Sequence, residues 1–138
     1  MLDLQDREWA SFPIERIFTI KPGKRLTKSD MTDGQRPFIG ATESNNGITN
    51  FVDNENASLD KNLIGVNYNG SVVETFYHPY ECIFSDDVKR FALKDKTGNR
   101  FVYLFLKTAI LQQKNQIYIW LQVQRTAHEQ AIYTVAHN

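Results

Sequence analysis

Cysteine is nearly absent. Cys82 is the only one, so no internal disulfide can form and the chain is not a disulfide-stapled secreted scaffold. The first eight residues, Met1-Leu2-Asp3-Leu4-Gln5-Asp6-Arg7-Glu8, lack the basic start and apolar stretch of an export signal. The two absences predict a reducing, cytoplasmic home. Long apolar runs are missing as well: 101–111 is interrupted by Lys107 and falls well short of the roughly 20 residues that cross a bilayer, so no membrane partner is expected. Only 7 Gly and 4 Pro occur among 138 residues, and no Ser, Gly or Pro run divides the chain, which predicts one domain. With 41% apolar residues the chain can form a real core, and disorder is excluded.

The chemistry of common active sites is also missing. His78, His128 and His137 are scattered, and with one Cys they complete no zinc ligand set. Gly65-Val66-Asn67-Tyr68-Asn69-Gly70-Ser71 nearly has the spacing of a phosphate-binding loop, but the Lys that would reach the terminal phosphates is absent. No Gly-x-Ser-x-Gly nucleophile turn exists, and Cys82 sits in an apolar stretch where a buried, inert thiol is the usual case. No cofactor and no bound metal are expected. One catalytic pattern survives: Asp87-Val88-Lys89 fits the acid-x-Lys half of a metal-dependent nuclease, in which the acid holds Mg²⁺ and Lys assists the attacking water. Asp86 or Asp60 would have to supply a second metal ligand, and the bland alternative is a strand start with a solvated Lys.

Net charge is absent too. Sixteen Lys and Arg balance sixteen Asp and Glu, which at first argues against a nucleic-acid binder. The zero conceals a segregation of sign. Residues 16–36 hold six bases (Arg16, Lys21, Lys24, Arg25, Lys28, Arg36) against two acids; 37–88 hold eight acids against Lys61, a net −7; 89–125 hold eight bases against Asp95. If the fold joins the two basic flanks, one face can attract phosphate despite the overall balance.

What the sequence does have is Asn, aromatic residues and short β-branched runs. Eight Asn fall between positions 45 and 69, a density that opposes regular helix because the side chain competes for nearby backbone groups. Apolar residues break through at Ile48, Phe51, Val52, Leu59, Leu63, Ile64 and Val66, so this stretch reads as loops threaded between short strands. Strands are expected over 9–14, 37–41, 70–77, 81–85 and 88–93, with a turn before 17–20 and another at Lys21-Pro22-Gly23-Lys24, where Pro presets φ. Apolar positions 101, 102, 104, 105, 109, 110 and 111 give the one convincing helical pattern, near 100–113. The fold class is α+β and strand-dominated. Asn pairs with adenine edges, Arg and Lys with guanine, and Lys with phosphate, so Asn-rich loops beside basic turns suit the reading of DNA bases; they are equally ordinary turn chemistry.

The order of the segments adds to this. Ile17-Phe18-Thr19-Ile20-x-x-Gly23-Lys24-Arg25-Leu26-Thr27-Lys28-x-Asp30-Met31, then Pro37-Phe38-Ile39-Gly40-Ala41-Thr42-Glu43-Ser44-Asn45-Asn46-Gly47-Ile48-Thr49, then Gly65 to Val72, then Phe76-Tyr77-His78-Pro79-Tyr80-Glu81-Cys82-Ile83-Phe84-Ser85-Asp86-Asp87-Val88 resembles a target recognition domain of the specificity (S) subunit of type I restriction-modification systems. The resemblance implies a non-catalytic module that reads one half of a split DNA target, and it implies a methyltransferase (modification) subunit and a restriction subunit as partners. It makes Lys24, Arg25 and Lys28 the phosphate-contact candidates, and Asn45, Asn46, Asn67 and Asn69 the base-edge candidates.

The likeness covers about 9–114, so 1–114 is the expected recognition domain. Past Lys114 the family pattern would bring a Tyr-Gly-Tyr-Lys-Phe-Asn hairpin, whereas this chain reads Asn115-Gln116-Ile117-Tyr118-Ile119-Trp120. Reading a back-translation of 119–128 one base later restores that peptide, so 115–138 is expected to be a divergent tail, frameshifted or truncated. Two other functional classes stay open on the sequence: the nuclease built on Asp87 and Lys89, and a cytoplasmic interaction module without a nucleic-acid role.

Overall fold

Leu63-Ile64-Gly65-Val66-Asn67 is buried at every position, as a strand covered on both faces must be. It is the centre of the molecule. The computed structural model describes residues 14–69, 73–95 and 99–112. In chain order these form α1 (Ile14–Ile17), β1 (Phe18–Pro22), β2 (Asp33–Ile39), β3 (Ile48–Val52), β4 (Leu63–Asn67), β5 (Thr75–His78), β6 (Ile83–Phe84), β7 (Val88–Leu93) and α2 (Arg100–Gln112). A four-stranded antiparallel sheet has the order β1-β7-β4-β5, and a three-stranded sheet has the order β3-β2-β6, with β6 parallel to β2.

Strand alternation sorts the core into layers. From β4, Ile64 and Val66 join Phe18, Phe91, Tyr103 and Ile110 beneath α2. Leu63 faces the other way and packs with Ile39, Cys82, Phe84 and Val88 between the sheets. The outer face of the smaller sheet buries Phe38, Val52 and Ile83 under Leu26, Met31 and Leu59. Gly65 lets the sheets close: a Cβ there would lie 3.1 Å from His78 Nε2, 3.2 Å from Val88 Cγ1 and 3.3 Å from Phe84 Cε1. α2 starts at a side-chain cap, Asn99 Oδ1 accepting from Phe101 N (3.0 Å) and Val102 N (3.1 Å).

The expected α+β class with one main helix is what the chain forms, and β7 and α2 lie where the pattern put them. The beginning differs. Of the strand expected over 9–14 only Ile14 is described, and it opens a helical turn, α1, directly after a proline, a residue that suits a helix start. Pro22 ends β1 instead of opening a turn. β1 is an edge strand, and Gly23 N donates to Val88 O (3.1 Å), so by antiparallel alternation the missing N–H of Pro22 points away from the ladder. The strand expected at 37–41 begins earlier, at Asp33, and Gly40 already belongs to the following loop, its N–H donating to Gly47 O (2.9 Å). That expected over 81–85 shortens to Ile83–Phe84, with Cys82 bridging back to Asp60. Of 70–77, positions 70–72 lie outside the described residues and the strand starts at Thr75. The tail over 115–138 also lies outside them. No described helix is long and apolar enough to cross a membrane.

His78 carries a pH dependence. It is fully buried, its Nδ1 lies 2.9 Å from the Tyr80 hydroxyl, and Nε2 has no partner among the described residues. Burial, helped by the charge of Lys107, lowers its pKa from 6.5 to about 3. The unfolded chain therefore takes up this proton first. Stability is intact above pH 6.5 and declines by about 1.4 kcal/mol per pH unit as pH falls toward 3. Urea unfolding of wild type and His78→Phe at pH 6.5, 5.5 and 4.5 should give a steeper decline for wild type by that amount; parallel declines would refute it.

Candidate nucleic-acid interface

Each basic flank of the sequence contributes one strand to an antiparallel pair. β1 lies antiparallel to β7 with Lys21 opposite Arg90 and Pro22 opposite Lys89. Not all of their charge is available to a ligand. Arg90 is buried, its Nε (3.1 Å) and Nη2 (2.9 Å) donating to Pro22 O and its Nη1 to Asp60 Oδ2 (3.1 Å). Arg36 donates from Nη1 to Asp53 O (2.9 Å) and Asn54 O (2.7 Å), and from Nη2 to Glu55 Oε1 (2.9 Å), with Glu81 beside its Nε. These arginines hold loops in place and neutralise Asp60, Glu55 and Glu81 of the acidic middle segment. Lys24 and Arg25, just past β1, are exposed, and their side chains have no partner among the described residues.

The registers bring several loops to one end of the molecule. Lys24 N donates to Phe84 O (2.8 Å), Ser85 N to Ile39 O (2.8 Å) and Tyr68 N to Asp87 O (3.1 Å). The Tyr68 hydroxyl donates to Asp86 O, and Asn69 Nδ2 to Asp87 Oδ1 (3.0 Å). The chain after β1, the start of the β2–β3 loop, the start of the β4–β5 loop and the β6–β7 turn therefore form one surface. Lys24, Arg25 and Asn69 are exposed on it.

The other candidates are placed differently. Asn67 is buried, and its Nδ2 donates to Thr42 O (3.0 Å), so it supports the β2–β3 loop from beneath. Asn45 and Asn46 are exposed on a 3₁₀ turn, each with φ 53°, a left-handed conformation that Asn tolerates better than most residues. Asn45 Nδ2 donates to Ile48 O (3.2 Å); Asn46 Nδ2 donates to both Tyr77 O (3.0 Å) and Tyr80 Oη (2.8 Å). Both amide hydrogens of Asn46 are thus engaged, and what it can offer a base is the Oδ1 acceptor. Lys28 stands apart, on a 3₁₀ turn tied to the far loop of the smaller sheet through Asp30 O and Asn54 Nδ2 (3.0 Å). No described contact joins it to the bases of β7.

Sequence reasoning missed Tyr68. Lys89 Nζ lies 4.7 Å from the centre of its ring, and burial lowers the pKa of that Lys. The only hint in the sequence was an aromatic flanked by Asn67 and Asn69. Asp87 and Lys89, the nuclease pair, are engaged separately, one by Asn69 and the other by the Tyr68 ring, and no group of three His, Cys, Asp or Glu among the described residues could hold a metal ion. The Cys82 thiol is pushed up to about 12 by burial and by Asp60 and Glu81, which keeps it protonated and inert.

Comparison with known proteins gives the family. The model of the type I restriction modification DNA specificity domain matches residues 6–129. Over 111 residues the chain is 60% identical to the specificity subunit S.BcgI of a type II restriction enzyme from Heyndrickxia coagulans, a match that covers 80% of this chain and 33% of that protein. The chain thus spans about a third of the length of this curated relative. The crystal structure of a type I restriction-modification system S subunit from M. genitalium superposes with a TM-score of 0.60 at 22% identity, covering 81% of this chain and 28% of the other, which is a likeness of fold. A family match over nearly the whole chain and a relative at this level of identity lead to one assignment: the chain belongs to the type I restriction modification DNA specificity domain family.

Proposed function

We propose that the chain is a DNA sequence-recognition module of a restriction-modification system, reading one half of a split target in double-stranded DNA and catalysing nothing itself. The observation that carries this reading is the meeting of four loop segments at one end, with Lys24 and Arg25 exposed there and unpaired among the described residues. In this reading Lys24 and Arg25 contact phosphate, and Lys28 contacts it from a separate position. Asn69 and the Oδ1 acceptors of Asn45 and Asn46 face base edges, where an acceptor suits the exocyclic amine of adenine or cytosine. Asn67 acts from inside, by fixing the loop that carries Thr42. A methyltransferase (modification) subunit and a restriction subunit are the protein partners, the compartment is the cytoplasm, and recognition needs no cofactor. Recognition belongs to 1–114, and 115–138 takes no part in it.

Selection of bound sequences from a random duplex pool tests the reading. The expected result is a recovered half-site of a few base pairs, bound with an affinity that falls steeply with salt. Two results would overturn it. No salt-dependent shift of any duplex at low salt would leave an interaction module. Plasmid cleavage with Mg²⁺ or Mn²⁺ that is lost on Lys89→Ala would make the protein a nuclease.

A further inference from the structure

A concave surface of about 450 Å³, apart from the loop end, opens beside β1 and β7, lined among others by Thr19, Lys21, Asp60, Lys61, Arg90 and Lys94. Its charges come from three separate stretches of chain. Lys21 and Arg90 are opposite one another across the β1–β7 ladder, Lys94 follows β7, and Asp60 and Lys61 precede β4. The one acid is already committed: Asp60 Oδ2 accepts from Arg90 Nη1 (3.1 Å), and its Oδ1 accepts from Lys61 N (2.9 Å). Arg90, 9% exposed at its side chain, is in turn held by Asp60 and Pro22 O. That pair closes on itself and leaves Lys21, Lys61 and Lys94, all exposed and without an ion-pair partner among the described residues.

We infer that this groove binds a phosphate group. Three lysines lining one concavity place like charges around it, and a compact multivalent oxyanion relieves their repulsion while offering each an acceptor oxygen. A carboxylate supplies one charge and two oxygens, too little for three cations. Thr19, exposed on the same surface, adds a neutral hydroxyl donor. The phosphate has two possible sources: a phosphodiester of a bound duplex, or free phosphate. Lys21 lies three residues before Lys24, so a duplex seated on the loop end has a route down the edge of β1. The duplex source rests on the DNA reading above; binding of phosphate itself does not.

The test compares wild type with Lys21→Gln/Lys61→Gln/Lys94→Gln, whose exposed positions leave the fold intact, as matched thermal unfolding would verify. In wild type, inorganic phosphate titrated at constant ionic strength should shift the amide resonances of Lys61, Asn62 and Lys94 saturably, and in the triple variant it should not. If the groove takes a phosphodiester, the slope of log affinity for duplex against log salt should also fall by about 0.9 for each lysine–phosphate pairing removed. A phosphate shift with an unchanged duplex slope would assign the groove to free phosphate. No saturable shift together with an unchanged slope would overturn the inference. Should wild type bind no duplex at all, the DNA reading fails separately, and the phosphate titration alone decides the groove.

Discussion

Gly23→Ala is expected to unfold the domain or remove most of its stability. A Cβ at this position would lie 1.8 Å from Ser85 O, 2.6 Å from Ser85 C and 2.8 Å from Phe84 O, all backbone atoms that no rotamer change can move. The neighbouring bonds, Gly23 N to Val88 O (3.1 Å) and Lys24 N to Phe84 O (2.8 Å), fix the point where the chain leaves the larger sheet and meets the β6–β7 turn. Making room for a methyl group separates these segments and breaks both bonds. Each buried group left unsatisfied costs about 1–3 kcal/mol, and the overpacking a similar amount. The total, on the order of 5 kcal/mol, is comparable with the whole stability of a small domain. Gly40→Ala is the matched control, because its Cβ would meet the side chain of Thr49, with Cγ2 at 2.8 Å, and that side chain can yield. Urea or thermal unfolding of the two variants should separate them clearly. A Gly23→Ala protein with wild-type stability would mean that the two segments do not approach this closely.

That junction marks the boundary of what the sequence could convey. Local signals were legible: the apolar spacing of α2, the alternation along β7 and the Asn-rich loops around β3 and β4 all became the expected kind of element. The opposed charge of the middle and flanking segments was legible too, and its meaning lay in the β1–β7 pairing. Availability of each charge was not. Arg36 is held by residues 17–19 positions away as well as by Glu81, and Arg90 by Asp60, thirty positions away, and Pro22, sixty-eight positions away. Such partners depend on how distant strands pair, so a count of bases along the chain overestimates the charge offered to phosphate. Asn67 and Asn69 illustrate the same limit: two positions apart, one is sealed beneath a loop and the other is exposed at its surface. Cys82, just before the short β6, pairs instead with Asp60, another contact between distant parts of the chain.

The larger functional effect is expected from Lys24→Glu/Arg25→Glu. Both side chains are exposed and have no partner among the described residues, so the double variant should unfold at the wild-type temperature. Its effect falls on DNA. Removing one cation from a phosphate lowers the salt dependence of binding by about 0.9, so the slope should fall by about 2, and reversal of sign adds repulsion between the loop end and the duplex. Affinity at low salt should drop by at least roughly 100-fold, and evenly across sequences, because phosphate contacts position a duplex without reading it. Lys28→Glu is the internal comparison. It lies on the smaller sheet's side with no described contact to the β7 bases, so its effect should amount to one phosphate contact at most. Binding isotherms for one duplex at several salt concentrations distinguish the cases. An unchanged slope in the double variant would remove the loop end from the interface. A loss confined to particular sequences would instead make Lys24 or Arg25 a reader of bases, most directly through the O6 and N7 acceptors of guanine.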